Sequence, residues 1–263
     1  MTARRQTCGP VAPFVRYRSP AAIVAAVSFL ATANIALAGE CGTPGRDGSG
    51  AITGVVNTYW NGTSNPAAGA PSFSLGPARG AARTIAPGDL LKLIHIQDAN
   101  INRDNTLAYG DGRAAAPASC STALRRAGRF EYVRAANSVG AGGGTLGVTS
   151  PVVYDYSNQT PTNNRGNRRF QIVRVPQYLD ASITGTLSAV PWDGTSGGIV
   201  AIDVANTLTF SGGTIEASAI GFRGGGGRAS SSGSGASTDT RTVFAHGANG
   251  AKGEGFAGTP RLV

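Results

Sequence analysis

Oxygen-bearing side chains recur at steps of two in Asp98, Asn100, Asn102 and Asp104, with Asp111 a little further on. Alternating oxygen ligands are what a calcium loop supplies. The EF-hand pattern is broken, however, by Arg103 where glycine is required and by Tyr109 where a bidentate glutamate belongs. An extended loop also holds alternate side chains about 6.5 Å apart, too far for one ion. The sequence therefore favours an Asx-rich loop whose side chains cap backbone amides, with Asp98, Asn100, Asn102, Asp104 and Asp111 as a calcium candidate behind it. No resident metal and no cofactor is expected.

A second cluster is basic. Arg165, Arg168, Arg169 and Arg174 surround Phe170, a composition that can hold an anionic glycan or a nucleic acid. A solvated strand flank is the favoured reading. Catalytic signals are sparse. There are two histidines, His95 and His246, and neither sits in a nucleophile motif. H-E-x-x-H and Walker patterns are missing from the sequence. The 14 carboxylates permit a glycosidase pair from distant strands without indicating one. The chain is read as non-enzymatic, with His95 a core or edge histidine.

The elements that must position these residues look like short strands. The stretch from Trp192 to Gly227 alternates Val200, Ile202 and Val204 with Ala201, Asp203 and Ala205, then resumes at Leu208 and Phe210 and again at Thr214-Ile215, with glycine breaks between. Strands this short need neighbours, which stacking in a β-solenoid or packing in a β-sandwich would provide. Upstream, residues 51–60 read as a strand closed by an Asn61-Gly62 turn. Residues 85–97 read as a turn at Pro87-Gly88 followed by a strand buried on both faces, with Leu91, Leu93 and His95 on one side and Lys92, Ile94 and Ile96 on the other. Further strands are expected at 129–135, 145–148, 170–175 and 183–190, and one or two helical turns at 121–128.

The ends of the chain speak of export. Arg4, Arg5, Arg16 and Arg18 precede an apolar run from Ala21 to Leu37, and Ala36-Leu37-Ala38 is an A-x-A site, so cleavage is expected before Gly39. No membrane span then remains. Glu40 between Gly39 and Cys41 argues against lipidation. Losing the four arginines of residues 1–38 takes the net charge from +9 to +5, too mild for nucleic-acid binding as the main task. Cys8 leaves with the leader. Cys41 and Cys120 remain and, outside the cytosol, are expected to pair.

The segments PGDLLKLIHIQDANIN, GRFEYVR, RRFQIVRVPQY and WDGTSGGIVAIDVANTLTFSGGTIEASAIGFRGG together resemble the N-terminal region of large bacterial secreted, Gly-rich surface proteins, which are often followed by DUF11-type or similar β repeats. The resemblance covers most of Cys41 to Val263. It implies an envelope or surface role and carries over no catalytic residue. His95 departs from it, since relatives read closer to VIQMQ where this chain has Leu93 to Gln97.

The expectations are these. The fold is all-β, a β-solenoid (parallel β-helix-like) or β-sandwich with Gly-rich turns. Residues 1–38 form a signal peptide, 39–180 an N-terminal β domain or cap, 181–227 a short-strand Gly-rich region, and 228–263 a flexible Ser/Gly-rich segment. The protein is secreted or at the cell surface, structural or adhesin-like, with glycans or other surface proteins as partners and no nucleic acid. The alternative is a polysaccharide-acting enzyme or glycan-binding module on a β scaffold. Residues 252–263 close no recognisable element, as in the front part of a longer protein.

Overall fold

A computed structural model describes residues 41–100, 123–162, 165–224 and 253–258. The expected leader and most of the Ser/Gly-rich C-terminal segment lie outside the described residues. Within them the protein is all-β and contains no helix. At 121–128, where helical turns were expected, the described part is a tight turn at residues 125–128. Its Arg125 holds a positive φ of 51°, and Gly128 turns away to start the next strand, so no second helical turn can form.

Six strands make one antiparallel sheet: β2 (Thr58–Gly62), β3 (Ser72–Gly80), β4 (Leu90–Gln97), β5 (Phe130–Arg134), β6 (Gly144–Gly147) and β7 (Arg169–Arg174), in the order β5-β4-β7-β2-β3-β6. The sheet curls until its edges meet, through an antiparallel bridge between Ala135 and Val148. Period-two alternation puts one side of each strand inside the curl. Trp60, Phe73, Leu75, Leu91, Leu93, Val133, Leu146, Phe170 and Ile172 fill it, and each is buried. Gly62 is needed for this packing. It was expected in a hairpin turn but lies within β2, directly over the Phe170 ring, where a Cβ would overlap the aromatic carbons.

The other four strands form a parallel sheet. β8 (Gln177–Ser188) pairs with β1 (Gly50–Val55) on one edge, and with β9 (Asp203–Phe210) and then β10 (Thr214–Ile215) on the other. The expected strand at 51–60 is thus two strands in two sheets, because the chain turns at Asn57. The expected boundary between residues 180 and 181 falls inside β8, and β1 from the N-terminal part shares its sheet.

Residues 199–202 were expected to be strand and are extended without a backbone ladder. Three side chains on the outer face of the curled sheet hold that segment at alternate residues. Gln171 donates to the Gly197 carbonyl (2.9 Å) and accepts from its N–H (2.7 Å). The Tyr59 hydroxyl donates to the Ile199 carbonyl (2.6 Å). Asn57 donates to the Ala201 carbonyl (2.6 Å) and accepts from its N–H (3.0 Å). Gln171, Tyr59 and Asn57 are fully buried, so these bonds satisfy groups that would otherwise be orphaned. Val200, Ile202 and Val204 then pack onto Ile52, Ala181, Ile183 and Leu187 as a second small core.

The two sheets are joined where β7 runs into β8. Asp89, just before β4, accepts from Arg174 Nε (2.8 Å) and from Arg46 Nε (2.8 Å). A second Arg174 nitrogen donates to Asp47 (2.8 Å), whose other oxygen accepts from the N–H of Gln177, the first residue of β8 (2.8 Å). Burial pushes the Asp89 carboxyl up, but the hydrogen bonds from Arg174, the Ala86 N–H and Arg46 outweigh it and hold the group below the ordinary carboxylate range. Asp89→Ala would leave the Arg174 guanidinium buried without its main partner, so it should cost about 3–5 kcal/mol of stability in denaturant unfolding.

Candidate functional site

At the end of the curled sheet opposite Asp89, β4 leaves at Gln97 and delivers Asp98. Its side chain is fully buried, and arginines from two directions meet there. Arg168, just before β7, places Nε 2.7 Å from the carboxylate. From the turn before β5 come Arg126 (3.1 Å) and Arg125 (3.6 Å). Arg126 also donates to Asp155, and Arg129 lies 3.6 Å from that same carboxylate while its guanidinium rests 4.9 Å from the Tyr154 ring centroid. The Asp155 bond lifts Arg126 further above the usual guanidinium range and lowers Asp155 in return. Arg168 is lowered by burial and by the nearby charges of Arg125, Arg165 and Arg126, with Asp98 opposing. Arg165 and Arg169 complete the cluster, bonded to the carbonyls of Thr160 and Gln159 and to the side chain of Asn158. Among the described residues four of these arginines, Arg125, Arg126, Arg129 and Arg168, contact the two aspartates, a surplus of positive charge on one end of the sheet.

The expected basic patch is therefore three-quarters assembled. Arg165, Arg168 and Arg169 are together. Arg174 lies at the far end of β7, buried with Asp89 and Asp47. In its place the structure adds Arg125, Arg126 and Arg129, which sequence reasoning treated as turn and strand residues. The Leu124-Arg125-Arg126 run was the one available signal. For the calcium candidate, the Asp98 carboxylate is taken by three guanidinium groups, whose charge repels a cation. Asn100 is exposed and pairs through its backbone with Ala123. Asn102, Asp104 and Asp111 lie outside the described residues. So do Cys120 and His246. Cys41 is exposed at the start of the described chain, its carbonyl accepting from Arg134.

His95 points into the curl, fully buried, with its ring stacked on Tyr156 at 6.0 Å and tilted against Phe170 at 6.3 Å. Its Nε2 accepts the Ser157 N–H at 3.1 Å, which puts the proton of the neutral ring on Nδ1. The lone pair a general base would use is thus occupied by backbone. On the outer face of the same strand, Ile94 and Ile96 line an apolar cavity of about 190 Å³ with Trp192, Ile199, Phe222 and Phe256. Phe222 stands edge-on to both Trp192 and Phe256, at 6.0 and 5.3 Å. The volume is below the roughly 300 Å³ at which small-molecule pockets begin, so it fits a single apolar group at most.

No family model matches this chain, and no curated protein or solved structure matches it. The fold and the site define an all-β protein with a curled antiparallel sheet, a parallel sheet beside it and an arginine-rich end.

Burial lowers the His95 pKa from 6.5 to about 4; Asp98 and Asp155 favour its charged form while Arg126 and Arg168 oppose it. The unfolded chain takes up this proton near pH 6.5 and the folded chain only near pH 4. The contribution is complete above pH 6.5 and is lost as pH falls to 4, a total of roughly 3 kcal/mol. Melting temperatures measured from pH 7 to pH 4 should fall accordingly, and the slope across that window should be shallower in His95→Gln whatever that variant's stability at pH 7.

Proposed function

We propose that this chain is an exported surface or secreted protein of structural, adhesin-like character, acting without catalysis. The leader-like run of residues 21–37 with its Ala36-Leu37-Ala38 site supports export. The observation that carries the structural reading is the outer face of the parallel sheet. Ser182 of β8 pairs with Thr209 of β9 and Thr186 of β8 with Thr214 of β10, and Thr184 and Thr207 lie on the same side, a polar surface on a rigid scaffold. The spacing of paired residues also favours the solenoid over the sandwich. Gln177 pairs with Asp203 and Leu187 with Ile215, steps of 26 and 28 residues, so β8 and the β9–β10 edge behave as successive rungs of one coil. The resemblance to the front of large Gly-rich surface proteins agrees with this reading. Cys41 and Cys120 would pair after export, tying the mature N-terminus to the segment after Asp111.

Cell fractionation should place the protein outside the cytosol with an N-terminus at Gly39, and its intact mass should rise on reduction. A cytosolic product that keeps residues 1–38 would end the proposal.

A second reading, a glycan-binding module, is favoured by the surplus of arginines around Asp98 and Asp155. Guanidinium groups suit the carboxylates, sulfates or phosphates of acidic polysaccharides. Retention on a polygalacturonate column should fall with added salt, and Arg125→Gln with Arg129→Gln should weaken it severalfold without shifting the melting temperature. Retention unchanged by both substitutions would remove this reading.

A further inference from the structure

The parallel sheet has two open edges, and they differ in a complementary way. Among the described residues β9 and β10 pair only with β8, which leaves an edge running from Asp203 to Ile215 without a neighbour. Its core-facing side chains are uncovered. Leu208, opposite buried Ala181, is 38% exposed; Phe210, opposite Ile183, is 58% exposed; Ile215, opposite Leu187, is 46% exposed. A hydrophobic line that is buried in β8 thus continues, bare, onto the last rung. Long edges carrying apolar residues are templates for another strand.

One step further on, the sequence carries no large apolar residue to match. From Gly224 to Thr242 there is no valine, leucine, isoleucine, methionine or aromatic residue. The opposite edge of the same sheet does offer a match. Among the described residues β1 pairs only with β8; in the shared register Gly50 aligns with Ala181 and Leu208, Ile52 with Ile183 and Phe210, and, after a register shift, Gly54 with Leu187 and Ile215. No atom lies within 4 Å of where a Cβ would sit on Gly50 or Gly54. One edge carries three large side chains. The other carries two open glycine positions on either side of an isoleucine, at the same heights and with the same strand direction.

We propose that copies of this chain join head to tail, the β1 edge of one copy adding in parallel to the β9–β10 edge of the next. Leu208 and Ile215 then lie over Gly50 and Gly54 of the neighbour, Phe210 meets its Ile52, and the sheet runs on from copy to copy. Because the two surfaces differ, the contact is heterologous, and a translation along the rungs leaves it open-ended rather than closed.

The test uses the full chain, expressed with residues 1–38 so that processing occurs, with export scored separately so that a failure to associate is distinguishable from a failure to leave the cell. Light scattering should show a mass that grows with concentration. Phe210→Asp, at an exposed position, should return the protein to monomer with its melting temperature unchanged. Ala51→Cys combined with Thr209→Cys should give a reducible ladder of species longer than dimers. Within one chain these two positions are separated by β8, about 9.6 Å across two strand spacings, too far for a bond. Neither single variant should cross-link. Three results would overturn the proposal: a monomer at every attainable concentration, a discrete dimer cross-linked by Thr209→Cys alone, which marks antiparallel pairing of two β9 edges, or protection from exchange in the monomer of the β9 amides that point away from β8, which marks an edge covered by the chain itself.

Discussion

Arg174 is the constraint on which the rest of the molecule turns. It ends β7, the central strand of the curled sheet, two residues before β8 begins the parallel one. Its guanidinium binds Asp89 at the head of β4 and Asp47 in the turn before β1, and Asp47 in turn holds the first N–H of β8. One buried cation therefore fixes where both sheets start. Such a network is not a simple gain in stability, since removing the charges from water offsets much of their attraction. Its consequence is geometric: the head of β4, the end of β7 and the start of β8 are held to one another through a single guanidinium.

The same strand separates two electrostatic environments. At the Arg174 end two aspartates and two arginines balance locally. At the Arg168 end four arginines gather around Asp98 and Asp155, and the balance is positive among the described residues. Between them lies an apolar interior in which His95 stays neutral, because burial outweighs the attraction of the nearby aspartates. Stability and surface charge are thus kept at opposite ends of one β-strand. Neither disturbs the parallel sheet, which presents hydroxyls on its outer face and leaves apolar side chains along one edge.

The parallel sheet depends on contacts that resemble no strand pairing. Gln171, Tyr59 and Asn57 take the place of a neighbouring strand and bond the backbone at residues 197, 199 and 201. The extended segment is held flat against the curled sheet, and its valine and isoleucine side chains close the second core. Coupling the sheets through side-chain amides and a phenol makes the packing specific, since each buried polar group would be left unpaired in a shifted register.

Much of the local structure was legible in the residues themselves. Alternation marked β4, β5, β7 and the inward face of His95, and glycine with proline placed the turn at residues 87–88, because period and turn chemistry are local properties. The all-β class followed from the same signals. What the sequence could not show is which strand sits beside which. That splits residues 51–60 between two sheets at Asn57, makes Asn61-Gly62 part of a strand under Phe170, and replaces the expected strand at 199–202 with a side-chain ladder. The arginine cluster was half visible for the same reason. Arg165, Arg168 and Arg169 are neighbours in sequence, whereas Arg125, Arg126 and Arg129 are brought to Arg168 only when β5 and β7 pair on either side of β4. Arg174, five residues beyond Arg169, is carried to the opposite end of the strand. Composition and period are written residue by residue; partners over a hundred residues apart are chosen by the closure of the sheet and by the need to pair every buried charge.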